Sequence, residues 1–156
     1  MMKQKASLIV IIFLLFGINQ SFGQCEKIKK KRIYQLLGAA EYDNHRSSDI
    51  ITSENYHVEE YQINLFKGVV YKLVFDASKM PEGTTINLYD LGKKRGAGKY
   101  EQVFSSSEAE KTKDDTYEIT LEFPQRKILV QYQVENNTKP GCVSFVLGYY
   151  FKNNIR

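Results

Sequence analysis

Tryptophan is absent from this 156-residue chain, cysteine and histidine occur only twice each, and proline three times. Each scarcity narrows the chemistry. His45 and His57 would need further ligands at recognisable spacing to hold zinc, and no such cluster is visible, so no metal site is assigned. With Cys25 and Cys142 read as bonded to each other, a thiol–histidine catalytic pair is disfavoured as well. The missing tryptophan weakens a sugar-stacking site. Charge of one sign is not in excess: 22 basic residues face 18 acidic ones, and loss of Lys3 and Lys5 with a leader leaves 20 against 18. Nucleic-acid binding, which uses a concentrated basic face, finds no support in that balance.

Long apolar runs are also scarce. The one at the chain start, Leu8 to Phe16, is too short for a membrane span, which takes roughly 20 residues. Lys3 and Lys5 precede it, and small and polar residues ending in Ser21-Phe22-Gly23 follow. That order predicts a secretory signal peptide over residues 1–23, cleaved between Gly23 and Gln24, and hence a secreted or periplasmic protein with no transmembrane segment after cleavage. The alternative is a lipoprotein anchored through Cys25. It requires a small residue directly before the cysteine, where Gln24 stands, and it would leave Cys142 an unpaired exported thiol. An oxidising compartment favours a Cys25–Cys142 disulfide, which would clamp the start of the mature chain to its last strand.

What is plentiful points to strands. Tyrosine and phenylalanine number 11 and 9, a composition that suits β structure. Residues 24–156 are read as one domain, all-β in the main. Glu26 to Leu37 places Ile28, Ile33, Leu36 and Leu37 near one helical face, with Gly38 as a C-cap, and predicts a short N-terminal helix. Its basic run, Lys27 to Arg32, is read as a solvated face, against the alternative of a contact with anionic lipid or acidic polymer. Glu41 to Asn55 is polar and reads as a loop holding a short strand around Asp49 to Thr52.

From there the pattern has period two. Tyr61, Ile63 and Leu65 turn at Lys67-Gly68 into Tyr71, Leu73 and Phe75, which predicts a hairpin with one buried face. Thr85 to Leu91 is a strand, Gly92 to Gly98 a flexible basic loop, and Tyr100 to Phe104 its pairing partner. Tyr117, Ile119, Leu121 and Phe123 turn at Pro124-Gln125 into Ile128, Val130, Tyr132 and Val134. Val143 to Phe151 is nearly continuous in apolar residues and reads as a central strand. Seven or eight strands at this spacing predict an antiparallel β-sandwich or jelly roll.

Candidate sites are few. Gly92, Gly96, Gly98 and Lys99 have the wrong spacing for a phosphate loop, and Tyr100 stands where Ser or Thr would hold magnesium. Glu59 and Glu60 are neighbours on a strand and point to opposite faces, so they cannot share a substrate. Asp76, Asp114 and Asp115 are the candidates for calcium at loop ends, and are read instead as turn residues. Asn136-Asn137-Thr138 matches a glycosylation acceptor and is read as a turn. The remaining surface is aromatic and basic: Tyr89 and Tyr100 flanking Lys93, Lys94, Arg95 and Lys99, with Tyr149 and Tyr150 on the last strand.

Leu65-Phe66-Lys67-Gly68-Val69-Val70-Tyr71, Ile86-Asn87-Leu88-Tyr89-Asp90 and Ile128-Leu129-Val130-Gln131-Tyr132 together resemble the pre-peptidase C-terminal type of β-sandwich found in exported bacterial proteins. The ending Gly141 to Tyr149 is similar to small exported bacterial proteins of no assigned activity. The resemblance covers about the last three-fifths of the chain, which adds a helix and a cysteine pair to that pattern. It implies a non-catalytic accessory domain, without cofactor, and carries over no functional residue. The expectation is a binding or structural module of the bacterial envelope or exterior that contacts a protein or a surface polymer. The alternative is a small secreted hydrolase accessory or carbohydrate-binding domain.

Overall fold

The computed structural model describes Cys25 and residues 28–52, 55–96, 99–122, 126–136 and 139–151. The expected signal peptide with its cleavage site, the turn at Pro124-Gln125, and Asn137-Thr138 lie outside them. Among the described residues, one helix, α1 (Lys30–Leu37), precedes eight strands: β1 (Glu41–Ile50), β2 (His57–Leu65), β3 (Val69–Asp76), β4 (Thr84–Arg95), β5 (Lys99–Ser105), β6 (Thr116–Glu122), β7 (Arg126–Val134) and β8 (Gly141–Phe151).

The strands form two four-stranded antiparallel sheets in the orders β1-β8-β3-β6 and β2-β7-β4-β5, here sheet I and sheet II. The pairs β1·β8, β2·β7, β3·β6 and β4·β5 are those of one long antiparallel ribbon folded at β4–β5. Rolling that ribbon brings β8 against β3 and β7 against β4, which makes the sandwich a jelly roll.

Between the sheets lies the main core. Tyr71, Leu73 and Phe75 of β3, Val143, Phe145 and Leu147 of β8, Ile86 and Leu88 of β4, and Ile128, Val130, Tyr132 and Val134 of β7 all point inward. These are the alternate positions the period-two pattern marked. Tyr61 stacks on Phe145 at 5.3 Å between ring centroids, and Phe75 meets Tyr132 edge-on at 6.5 Å.

A second core lies on the outer face of sheet I. Ile33, Leu36, Leu37 and Ala40 bury against Val74 and Val146, with Ile28 and Tyr150 alongside. The helix therefore explains why β8 is apolar on both faces and why Val74 interrupts the alternation of β3. Gly148 sets the closeness of the contact. A Cβ there would lie 2.6 Å from Leu37 Cδ2 and 2.8 Å from the Glu41 carbonyl oxygen, so any larger residue pushes the helix end off the sheet. Gly38 caps the helix at φ 62°, its N–H bonding the Tyr34 carbonyl at 3.0 Å.

Three sequence expectations are corrected. Residues 61–65 and 71–75 do not form a hairpin: β2 pairs with β7 in sheet II, while β3 pairs with β6 and β8 in sheet I. Likewise β6 and β7 sit in different sheets. Alternation reports one buried face, and a strand facing its predecessor across the core satisfies that as well as one pairing beside it. Among the described strands, only β4 and β5 pair as chain neighbours. The segment expected as a loop from Glu41 is mostly strand, since β1 runs to Ile50 at the sheet edge, where only Ser48 and Ile50 are buried. Its polar composition is that of a strand with little core to fill, held by the β8 ladder.

The disulfide is present. Cys25 bonds Cys142 across a separation of 117 residues, with Cα atoms 5.2 Å apart. The Cys25 N–H also donates to Asp49 Oδ1 at 2.7 Å, which fixes the segment leading into α1 over the β1–β8 pair.

Candidate functional site

The β4–β5 hairpin carries the aromatic and basic residues singled out in the sequence. Gly92 to Arg95 belongs to β4 rather than to a loop, and the ladder shifts register between Asp90 and Lys94. Asp90 shapes that irregularity. It is 0 % exposed, and its Oδ1 accepts the Gly92 N–H at 2.8 Å, turning the strand so that the residues beyond it re-enter the ladder.

The pairing sorts the candidates by face. Tyr89 stands opposite Gln102, and Lys94 opposite Tyr100, on the side of sheet II turned away from the core. Tyr89 is half-buried and Tyr100 exposed. Burial first, then the neighbouring Tyr56 and Glu60, push the Tyr89 phenol above its usual range. Lys93 departs from this group: its Nζ pairs with Glu101 Oε2 at 3.2 Å, and Glu101 lies opposite the inward Asp90. At the tip, Arg95 is paired with Lys99 in the backbone ladder. Tyr89, Lys94 and Tyr100 thus share one surface, while Lys93 is held to another.

Beside them runs a feature that sequence reading missed. Three rows cross the outer face of sheet II in register: Val58, Gln133 and Thr85; Glu60, Gln131, Asn87 and Ser105; Gln62, Leu129, Tyr89 and Gln102. Gln133 Nε2 donates to Gln131 Oε1 at 2.5 Å, and Gln131 Nε2 donates to Glu60 Oε1 at 2.6 Å. The direction of this chain is fixed, because the Glu60 carboxylate can only accept. A signal was present in the spacing: Glu60 with Gln62, and Gln131 with Gln133, repeat at period two and alternate with Tyr61 and Tyr132.

The remaining candidates are placed elsewhere. Glu59 and Glu60 do diverge, Glu59 turning to Ser48 and Arg46 while Glu60 meets Gln131. At that β1–β2 edge Arg46 caps the Tyr61 ring at 4.7 Å, and the Tyr61 and Tyr132 hydroxyls are 2.8 Å apart. Burial and each other's proximity raise the Tyr61 phenol well above the ordinary range, and burial does the same for Tyr132. These two hydroxyls close the core edge and satisfy each other.

His45 bonds Tyr42 on β1 at 2.9 Å, and His57 opens β2 in the other sheet. Asp76 is engaged by Arg32 of α1 at 3.1 Å and by the Ser78 hydroxyl at 2.6 Å. Burial works to raise its carboxyl, but the Ser78 and Arg32 contacts outweigh it and hold the group below the usual carboxylate range. Among the described residues, no three His, Cys, Asp or Glu side chains gather as a metal would need. Of the basic run in α1, Lys30 and Lys31 are exposed and Arg32 is half-buried in its ion pair. Tyr149 donates to Glu41 at 2.9 Å, and Tyr150 packs beside the helix core. No helix among the described residues is long and apolar enough to cross a membrane. No protein-family model and no curated protein matches this chain.

Proposed function

We propose that this protein is an exported, non-catalytic binding module of the bacterial envelope or exterior, working through the β4–β5 end of sheet II. The observation that carries this reading is the meeting of Tyr89, Lys94 and Tyr100 on one surface, next to a sheet face free of the helix that covers its counterpart. Aromatic side chains present large contact area at low entropic cost, and a cation at the rim adds orientation. The Cys25–Cys142 bond supports export, since such bonds persist in oxidising compartments. An accessory role of the kind implied by the pre-peptidase resemblance belongs to the same proposal.

Co-sedimentation with insoluble envelope material tests it. Wild-type protein pellets with the fraction, and a Lys94→Glu, Tyr100→Ala variant stays in the supernatant. Undiminished sedimentation of that variant, with its melting temperature unchanged, removes the hairpin tip from the binding surface.

A further inference from the structure

The outer face of sheet II has a chemistry that narrows what it can hold. Its three central rows contain four glutamines, one asparagine, one glutamate, one tyrosine, two hydroxyl residues and two aliphatics, and no lysine or arginine. Solvated sheet faces are ordinarily supplied with lysine and glutamate, which keep strands soluble. Here amides dominate the three rows, and the lysines stand outside them, Lys127 beside Asn64 in the next row and Lys94 toward the tip. From this we infer that the face binds a polysaccharide of neutral sugar units, a reading that rests on the binding role proposed above and assigns its ligand class.

The inference rests first on hydrogen-bond matching. A side-chain amide offers donors and an acceptor side by side, and so do the adjacent hydroxyls of a pyranose ring. A polyanion would find one carboxylate and no cation in these rows, hence none of the counterion release that drives nucleic-acid binding. A protein partner would want a buried aromatic or aliphatic anchor at the centre, where Leu129 and the half-buried Tyr89 are flanked by Gln62, Gln102 and Gln131.

Pre-organisation comes second. The chain Gln133–Gln131–Glu60 orients two amides without using up their second N–H or second lone pair, so sugar hydroxyls meet groups already aimed. Shape follows. Across the central row, exposure falls from open Glu60 through half-buried Gln131 to Asn87, at 4 %, and Ser105. The row thus offers Glu60 and Gln131 to a ligand and is closed over Asn87 and Ser105 on the β5 side. Tyr89 and the 59 %-exposed Tyr56 supply ring faces for the C–H side of a sugar, the part tryptophan more often plays.

Affinity electrophoresis of the intact mature protein tests this. The gels carry laminarin, xyloglucan, galactomannan or dextran as neutral probes, and alginate or polygalacturonate as acidic ones. At least one neutral gel retards the wild type. Gln131→Ala and Tyr89→Ala weaken that retardation at least tenfold. The exposed-site variants Gln62→Ala and Gln102→Ala, which leave the ladder and the core untouched, weaken it several-fold with no change in melting temperature. Lys31→Glu, on the exposed side of α1 over sheet I, leaves neutral retardation in place, which ties the effect to the face of sheet II. No retardation in any neutral gel, or neutral retardation untouched by all four alanine variants, overturns the proposal. So does retardation confined to acidic gels and cancelled by Lys94→Glu, an outcome that keeps the tip as a binding surface while removing the sugar ligand.

Discussion

The two outer faces of this sandwich have been put to opposite uses. Sheet I is sealed: α1 lays Ile33, Leu36 and Leu37 onto Val74 and Val146, Arg32 reaches Asp76, and the Cys25–Cys142 bond fastens the chain above them. Sheet II carries no helix among the described residues, and its polar rows are held in order by hydrogen bonds between their own side chains. One face is therefore an extension of the core and the other a surface in register with the hairpin tip. Substitutions on the sealed side should register as stability, and those on the open side as binding.

The largest separation is expected at the disulfide. A Cys25→Ala, Cys142→Ala variant loses up to about 4–5 kcal/mol in the chain-entropy account, read as a fall in the urea midpoint with a steeper slope, since the uncrosslinked unfolded chain exposes more surface. An equal midpoint would show that the bond does not constrain the unfolded chain. Leu37→Ala comes next. Its side chain is 0 % exposed, and truncation there should cost about 2–4 kcal/mol. A cost near zero would mean that the helix is dispensable to sheet I.

Arg32→Ala is smaller, about 1 kcal/mol, because the Arg32–Asp76 pair is only partly shielded from solvent. It also carries a pH signature. The Asp76 carboxyl is lowered in the folded state, so its contribution is fully present above the unfolded value of about 3.9 and is lost as pH falls through the folded one. Wild type and Asp76→Asn should thus differ at neutral pH and converge in acid, as followed by thermal melts. A gap that persists at low pH would assign the effect to packing. Gln62→Ala on the open face should shift stability by no more than about 0.5 kcal/mol. A larger loss would make that face structural.

Alkaline pH probes the edge between the sheets. The Tyr61 and Tyr132 phenols are raised in the folded state, so their stabilisation is complete below the unfolded value of about 10 and is lost as pH climbs through the folded values. Their ionisation, followed by absorbance near 295 nm, should coincide with unfolding rather than precede it. Ionisation ahead of unfolding would place water at the Tyr61–Tyr132 contact.

Much of the core and of the sealed side could be read from residue order. Leu73, Phe75, Val130 and Tyr132 announced inward positions by alternation, β8 announced its central place by unbroken apolarity, and Gly38 marked the helix end. Sheet membership could not be read, because a turn such as Lys67-Gly68 serves a crossing between sheets as well as a hairpin. Strand β1 escaped for a related reason: an edge strand with two buried residues has almost no hydrophobic pattern to display. At the site, Tyr89, Lys94 and Tyr100 stood out by type. The glutamines did not, since their meaning lies in the register of four strands, and register is fixed by pairing across the whole chain.

The division of labour between the two faces can be read most directly by amide NMR during titration with the retarding neutral polysaccharide. Shifts confined to the outer face of sheet II, around Gln62, Tyr89, Gln102 and Gln131, are the predicted result, with α1 and the Cys142 region unmoved. Shifts centred on α1 and β8, or none at saturating polysaccharide, would contradict it.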